Sequence, residues 1–165
     1  MFGLTWACSE PTKGALDPRI TYRFTAGETP KNVHVVMTLP PGPQRKVLLR
    51  WPPDQFGPFT DLRRGIVLGD VEGGSIESTE DPETLLLVRQ DSPRPTRLHY
   101  RLEQLYEGAP HDRLRVFWPA LQPDYWYFST TAALLAPVWP DPFTVALSFE
   151  PPRGQRDWKL VSSRG

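Results

Sequence analysis

A chain of 165 residues with 39% hydrophobic content can bury one substantial core, and an all-β unit of this length commonly forms a single domain. Lys plus Arg number 19 and Asp plus Glu number 19, so no net field holds a phosphate backbone or an anionic membrane surface, which argues against nucleic acid as a partner. The 20 prolines cannot donate to a ladder or sit inside helices, which disfavours long helices, and Cys8 as the only cysteine excludes an internal disulfide and a multi-cysteine zinc site.

Residues 1–17 are expected to be a flexible tail. Within them Leu4-Thr5-Trp6-Ala7-Cys8-Ser9 is similar to the end of a bacterial lipoprotein signal, where a small residue precedes a lipidated cysteine, although only seven residues precede Cys8. If Cys8 is such a cysteine, the protein belongs to the cell envelope or periplasm; otherwise a cytoplasmic location is expected. No other stretch is long and apolar enough for a membrane span.

From residue 18 to 165 the pattern is that of one β-sandwich. Residues 20–25 alternate apolar and polar, as do 33–38 with one slip at Val35-Val36, and both spacings predict strands. A strand over 46–51 follows the turn-rich Pro40-Pro41-Gly42-Pro43 and ends at Pro52-Pro53-Asp54, which forces a loop. Residues 66–71 and 84–88 read as strands of a meander, with Glu72-Gly73-Gly74 as a hairpin turn and a solvated acidic edge through Glu77, Glu80, Asp81 and Glu83. Residues 97–106 form either a strand, with Leu98, Tyr100, Leu102 and Gln104 on one face, or a short helix; the prolines upstream favour the strand. Residues 143–149 alternate most cleanly, and Trp158-Lys159-Leu160-Val161 is expected to pair nearby. Short strands at this spacing, with Pro- and Gly-rich loops, predict an antiparallel all-β sandwich.

Catalytic chemistry has no visible carrier. A zinc-binding His-Glu-x-x-His helix needs two histidines one turn apart, and His34, His99 and His111 are followed by Val, Tyr and Asp with no pair four apart. No Gly-x-Ser-x-Gly elbow occurs, and Gly73-Gly74 lacks the Lys-Ser/Thr of a phosphate loop. The richest apolar segment is Tyr125-Trp126-Tyr127-Phe128, followed by Leu134, Leu135 and Trp139. On a strand, alternate members of the run face opposite ways, so two fill the core and two face outward, free to dock on another domain, stack on sugars or lie beneath a loop. The Ala132 to Val138 stretch beside them offers few hydroxyl-binding groups, which favours a docking face made of Tyr125 to Phe128 with Trp139.

Trp51-Pro52-Pro53-Asp54-Gln55-Phe56, then Asp61-Leu62-Arg63-Arg64-Gly65-Ile66, resembles the Trp-x-Pro-Gly-Ser-Tyr and Asp-x-x-Arg segment in the N-terminal domain of the glycyl aminopeptidases, PDZ-carrying gluzincin metallopeptidases. Phe128-Ser129-Thr130 through Pro137 is similar to that family's Phe-Asn-Gly stretch. Val145 through Pro152, Gly154 and Trp158 resembles its closing strand, Pro-x-Gly-Trp turn and strand. Asp54-Gln55 stands for the family's Gly-Ser, Phe56 for its tyrosine and Ser129-Thr130 for its Asn-Gly; a turn built on glycine there must be made differently, since Thr130 resists positive φ. The motif positions are thus Trp51, Pro53, Phe56, Asp61, Arg64, Ser129, Thr130, Pro152, Gly154 and Trp158.

The resemblance implies a saddle-like, non-catalytic β-sandwich. It would pack on a thermolysin-like catalytic domain and help enclose the site that removes N-terminal glycine or alanine, with zinc only in that downstream domain and no cofactor in this chain. An exported, stand-alone β-sandwich that binds a carbohydrate or protein ligand through the 125–128 run is the other reading. Since the chain lacks paired zinc-ligating histidines, metal analysis is expected to find no stoichiometric zinc, and aminoacyl reporters should release no amino acid. One tightly held zinc per chain would overturn that expectation.

Overall fold

The computed structural model describes residues 19–55, 60–90, 93–107, 119–122, 125–140 and 142–150. The expected tail with Cys8, the family position Phe56, His111, and the closing segment with Pro152, Gly154 and Trp158 all lie outside the described residues. No helix among the described residues is long and apolar enough to cross a membrane.

The fold is all-β, two facing sheets as the alternation predicts. The larger sheet contains β1 (Arg19–Ala26), β2 (Asn32–Leu39), β4 (Ile66–Glu72), β7 (Thr96–Glu103) and β11 (Thr144–Glu150), in the order β11-β1-β2-β7-β4. The smaller contains β3 (Lys46–Arg50), β5 (Gly74–Ser78), β6 (Thr84–Arg89) and β10 (Ala136–Val138), in the order β10-β3-β6-β5. A two-residue pair, β8 (Ala120–Leu121) with β9 (Trp126–Tyr127), a short 3-10 turn at Leu62–Gly65 and the one-turn helix α1 (Thr130–Ala133) complete the described elements. Pairing is antiparallel except between β1 and β11, which run parallel over seven register pairs from Arg19–Thr144 to Thr25–Glu150, a departure from the all-antiparallel expectation.

Alternation decides what is buried. Ile20, Tyr22 and Phe24 of β1, Val33, Val35, Met37 and Leu39 of β2, and Leu98, Tyr100 and Leu102 of β7 form one wall of the core. Val47, Leu49, Leu85 and Leu87 of the smaller sheet form the other. The supposed slip in β2 is not one: Val36 stands on the outer face between Arg23 and His99, its register neighbours, while Val35 and Met37 keep the inward beat. Thr96–Glu103 takes the strand alternative, and Leu98, Tyr100, Leu102 and, just past its end, Gln104 are buried.

The meander expected over 66–88 requires correction. β4 pairs with β7 in the larger sheet, and the next strand, β5, pairs with β6 in the smaller, so Glu72-Gly73-Gly74 is a corner between sheets and not a hairpin turn. Gly73 takes φ +75°, a conformation L side chains rarely adopt, and a Cβ on Gly74 would lie 2.5 Å from the Val88 carbonyl oxygen. β5 had no strand signature because Gly74-Ser75-Ile76-Glu77-Ser78 holds a single β-branched apolar residue; it forms by pairing with the apolar β6. Below the corner the buried Arg89 guanidinium donates to Thr96 Oγ1 at 3.1 Å and to the carbonyls of Gln44 at 3.3 Å and Pro40 at 2.5 Å. It thereby ties three loop ends together.

Two tyrosines join the larger sheet to the segment entering the smaller. The Tyr22 hydroxyl donates to the Leu135 carbonyl at 2.6 Å and the Tyr100 hydroxyl to that of Ala133 at 3.3 Å, both buried. Desolvation pushes both phenols well above the ordinary tyrosine range. Raised native values favour the neutral phenol, so the stabilisation is complete below about pH 10, the ordinary tyrosine value, and is lost as pH rises beyond it, by about 1.4 kcal/mol per pH unit for each tyrosine. Tyr22→Phe and Tyr100→Phe should each cost about 1–2 kcal/mol at neutral pH. The double variant should show a flatter decline above about pH 10 in denaturant midpoints measured against pH; an unchanged alkaline slope would contradict this account.

Candidate functional site

The candidate site is one end of the sandwich, where β3 ends, β5 ends and β7 ends. The loop after β3 is held by Asp54 and Arg63. The Leu62 amide donates to the Asp54 carbonyl at 3.1 Å, and the Arg63 amide to Asp54 Oδ1 at 3.1 Å. The largely buried Arg63 side chain then donates through Nε to the Pro52 carbonyl at 2.7 Å, reaches the Pro82 carbonyl at 3.4 Å and forms an ion pair with Glu83. The Trp51 amide donates to the Glu83 carbonyl at 2.9 Å, and the indole packs against the core. Asp61 precedes the 3-10 turn at φ 58°, the only non-glycine positive φ among the described residues, a conformation aspartate tolerates better than most.

Asp61 serves the chain reversal through its backbone, Arg63 is the arginine that clamps the loop, and Arg64 points to solvent. The resemblance singles out Arg64 and not Arg63, whose side-chain partners are two backbone carbonyls and the Glu83 carboxylate. Gly65 follows, so close to β7 that a Cβ would lie 2.8 Å from the Glu103 carbonyl oxygen. The 3-10 turn also touches α1, which brings the 51–65 and 129–133 segments together at this end. Ser129 is extended at φ −78° and α1 begins at Thr130, so one helical turn, closed by the Ala132 amide on the Ser129 carbonyl at 3.0 Å, replaces the glycine turn.

Gln104 positions the aromatic run. Buried at the end of β7, it accepts at Oε1 from the Leu121 amide at 2.6 Å and from Gln122 Nε2 at 3.1 Å, and donates to the Tyr106 carbonyl at 2.8 Å. The β8–β9 pair hangs from it, closed by the Gln122 amide on the Tyr125 carbonyl at 2.9 Å. Alternation then separates the run. Trp126 and Phe128 pack on the core, with Phe128 stacked on Phe24 at 4.9 Å, while Tyr125 and Tyr127 are 38% and 50% exposed. Trp139 is not beside them: β10 runs away from α1, and Trp139 packs on the core and on Phe143 at 6.0 Å. The structure therefore brings Tyr125 and Tyr127 together as an outward pair and leaves Trp126, Phe128 and Trp139 half-buried against the core.

The opposite end offers less. A hollow of about 520 Å³ lies between Glu72, Gly73, Gln90, Arg94, Pro95 and Arg97. Arg97 donates to Glu72 at 2.8 Å and holds its carboxyl below the usual carboxylate range, and His99 Nε2 lies 3.1 Å from the same group. No group of three or more His, Cys, Asp or Glu suited to a metal ion occurs among the described residues.

No family model and no curated protein matches this chain. Among solved structures it is similar to an aminopeptidase N family protein of Idiomarina loihiensis, with TM-score 0.53 and 18% identity over 81% of this chain and 22% of that one. It also overlaps the seventh ScaB type I cohesin of Pseudobacteroides cellulosolvens, with TM-score 0.34 and 8% identity over 87% of this chain and 98% of that one. The first likeness is one of fold, and this chain spans about a fifth of that neighbour's length.

Tyr125 and Tyr127 can be tested apart from the core. Replacing both with Ser is expected to raise solubility and leave the unfolding midpoint within about 0.5 kcal/mol of the parent. Phe128→Ser in the same run should cost about 2 kcal/mol or more, because it removes a half-buried ring stacked on the core residue Phe24. Equal losses in the two thermal melts would contradict the inside–outside division.

Proposed function

We propose that this chain is the non-catalytic N-terminal β-domain of a zinc-dependent aminopeptidase, packed on a catalytic domain and shaping its approach to peptide N-termini. The observation that carries the reading is the backbone likeness to an aminopeptidase N family protein, over most of this chain and a minor part of that neighbour. It is what an accessory domain of a larger peptidase would give. The 3-10 turn Leu62–Gly65 and the helix Thr130–Ala133, far apart in sequence and each in a motif segment, meet at one end of the sandwich. That end presents Tyr125 and Tyr127, amphipathic side chains of the kind enriched at protein interfaces. In this reading they dock on the catalytic domain, and the Arg63 clamp and α1 keep the docking end rigid. Metal and general base come from the catalytic domain; this chain contributes position and the exclusion of water.

The test has two stages. The genomic frame beyond residue 165 is expected to encode His-Glu-x-x-His with a downstream glutamate. In the full gene product, Tyr125→Ser with Tyr127→Ser should lower kcat/KM on glycyl and alanyl reporters at least about fivefold, as losing two interface anchors would. A frame lacking the zinc motif sinks the peptidase reading, and glycan-array binding abolished by the same substitutions would put the stand-alone binding module in its place.

A further inference from the structure

Four strand edges bound the two sheets. Three are guarded in the ways that prevent edge-to-edge pairing. β10 is three residues long with Pro137 at its centre. β4 breaks register between Leu68 and Val71, a bulge that contains Gly69 and the exposed Asp70. β5 is short, opens on Gly74 and exposes Glu77. β11 has none of these devices: seven residues, Thr-Val-Ala-Leu-Ser-Phe-Glu, without proline, glycine or internal charge, in unbroken register with β1.

β11 is also incompletely covered on its core face. Val145 and Leu147 pair with Ile20 and Tyr22, which are 0% and 2% exposed, yet are themselves 45% and 40% exposed. The reason is lateral. Tyr22 already touches Leu135, the residue before the edge strand β10, so the smaller sheet ends above β1 and β11 projects past it. Only Phe149, stacked on Phe24 at 4.7 Å, is drawn under cover. Among the described residues no strand pairs with the outer edge of β11.

We propose that the outer edge of β11 is a homodimer interface, pairing antiparallel with β11 of a second copy about a twofold axis at Leu147. The sequence of the strand is self-complementary about that point. Val145 then faces Phe149 of the other copy and Leu147 faces itself on the core side, while Ala146 faces Ser148 on the outer side. Charge agrees. The strand starts beside the exposed Arg19 and ends at Glu150, so the antiparallel partner brings its Glu150 opposite Thr144. Arg19 and that Glu150, which also pairs with Arg23 of its own chain at 2.9 Å, then share one outer-face row about 10 Å apart, within reach of two long side chains. The contact joins two five-stranded sheets into one and does not rest on the peptidase reading.

Sedimentation of the full chain from micromolar to millimolar concentration should show a monomer–dimer equilibrium. Leu147→Lys should weaken it at least about tenfold without lowering the unfolding midpoint, since the side chain is solvent-exposed in the monomer. In a Cys8→Ser background, Leu147→Cys should cross-link readily, because twofold-related residues at the axis lie about 5 Å apart. Thr144→Cys should not, its two copies being about 20 Å apart. A monomer at every concentration, the result if residues 158–161 of the same chain occupy this edge, a dimer indifferent to Leu147→Lys, or equal cross-linking at 144 and 147 would each overturn the proposal.

Discussion

Two phenol hydroxyls inside the sandwich hold its closure at the functional end. Tyr22 and Tyr100 are large side chains on the apolar wall of the larger sheet, and each ends in a group that cannot be buried without a partner. The partners are carbonyls at 133 and 135, left over where one turn of helix becomes strand β10. There the chain passes from the helical turn into the smaller sheet, and its path is fixed by the donors that reach those carbonyls. Ala133 and Leu135 consequently sit in the core with Phe128 half-buried against it, and the alternation of the run leaves Tyr125 and Tyr127 outside.

The same principle, a buried polar group whose satisfaction determines a path, recurs at both ends. Gln104 suspends β8–β9, Arg63 binds the loop after β3 to that before β6, and Arg89 gathers the loops at 40–44 and Thr96. Irregular segments rich in proline cannot satisfy their own backbone, so long side chains must do it for them. The 20 prolines and the three buried or half-buried polar clamps are two sides of one constraint.

Strands with period-2 alternation were legible in the sequence because each buries one face, and the inward residues of β1, β2 and β7 follow that beat except at Ala26, the last residue of β1. β5 was not legible, since its strand character is supplied by β6 and not by its own residues. Nor could the corner at Gly73 be distinguished from a hairpin: both require a positive φ, and the choice depends on which neighbour each flanking strand finds. At the site, the outward pair Tyr125 and Tyr127 could be read from alternation, but the displacement of Trp139 depended on the direction of β10, and Arg63 was hidden because its partners are mostly carbonyls, which no sequence displays.

The parallel seam between β1 and β11 also orders events in time. Arg23 and Glu150, joined across that seam, lie 127 residues apart in sequence, whereas β1 meets β2 across a short turn. Contacts of such separation must overcome a large loop-closure entropy and form late in folding. During synthesis the apolar flank of β1 therefore remains without its neighbour until almost the whole of the described chain has left the ribosome, and through that interval it is a strand edge open to whatever extended chain is nearby. Residues 144–150 thus close that flank of β1 last, and a chain ending short of them would leave it unpaired.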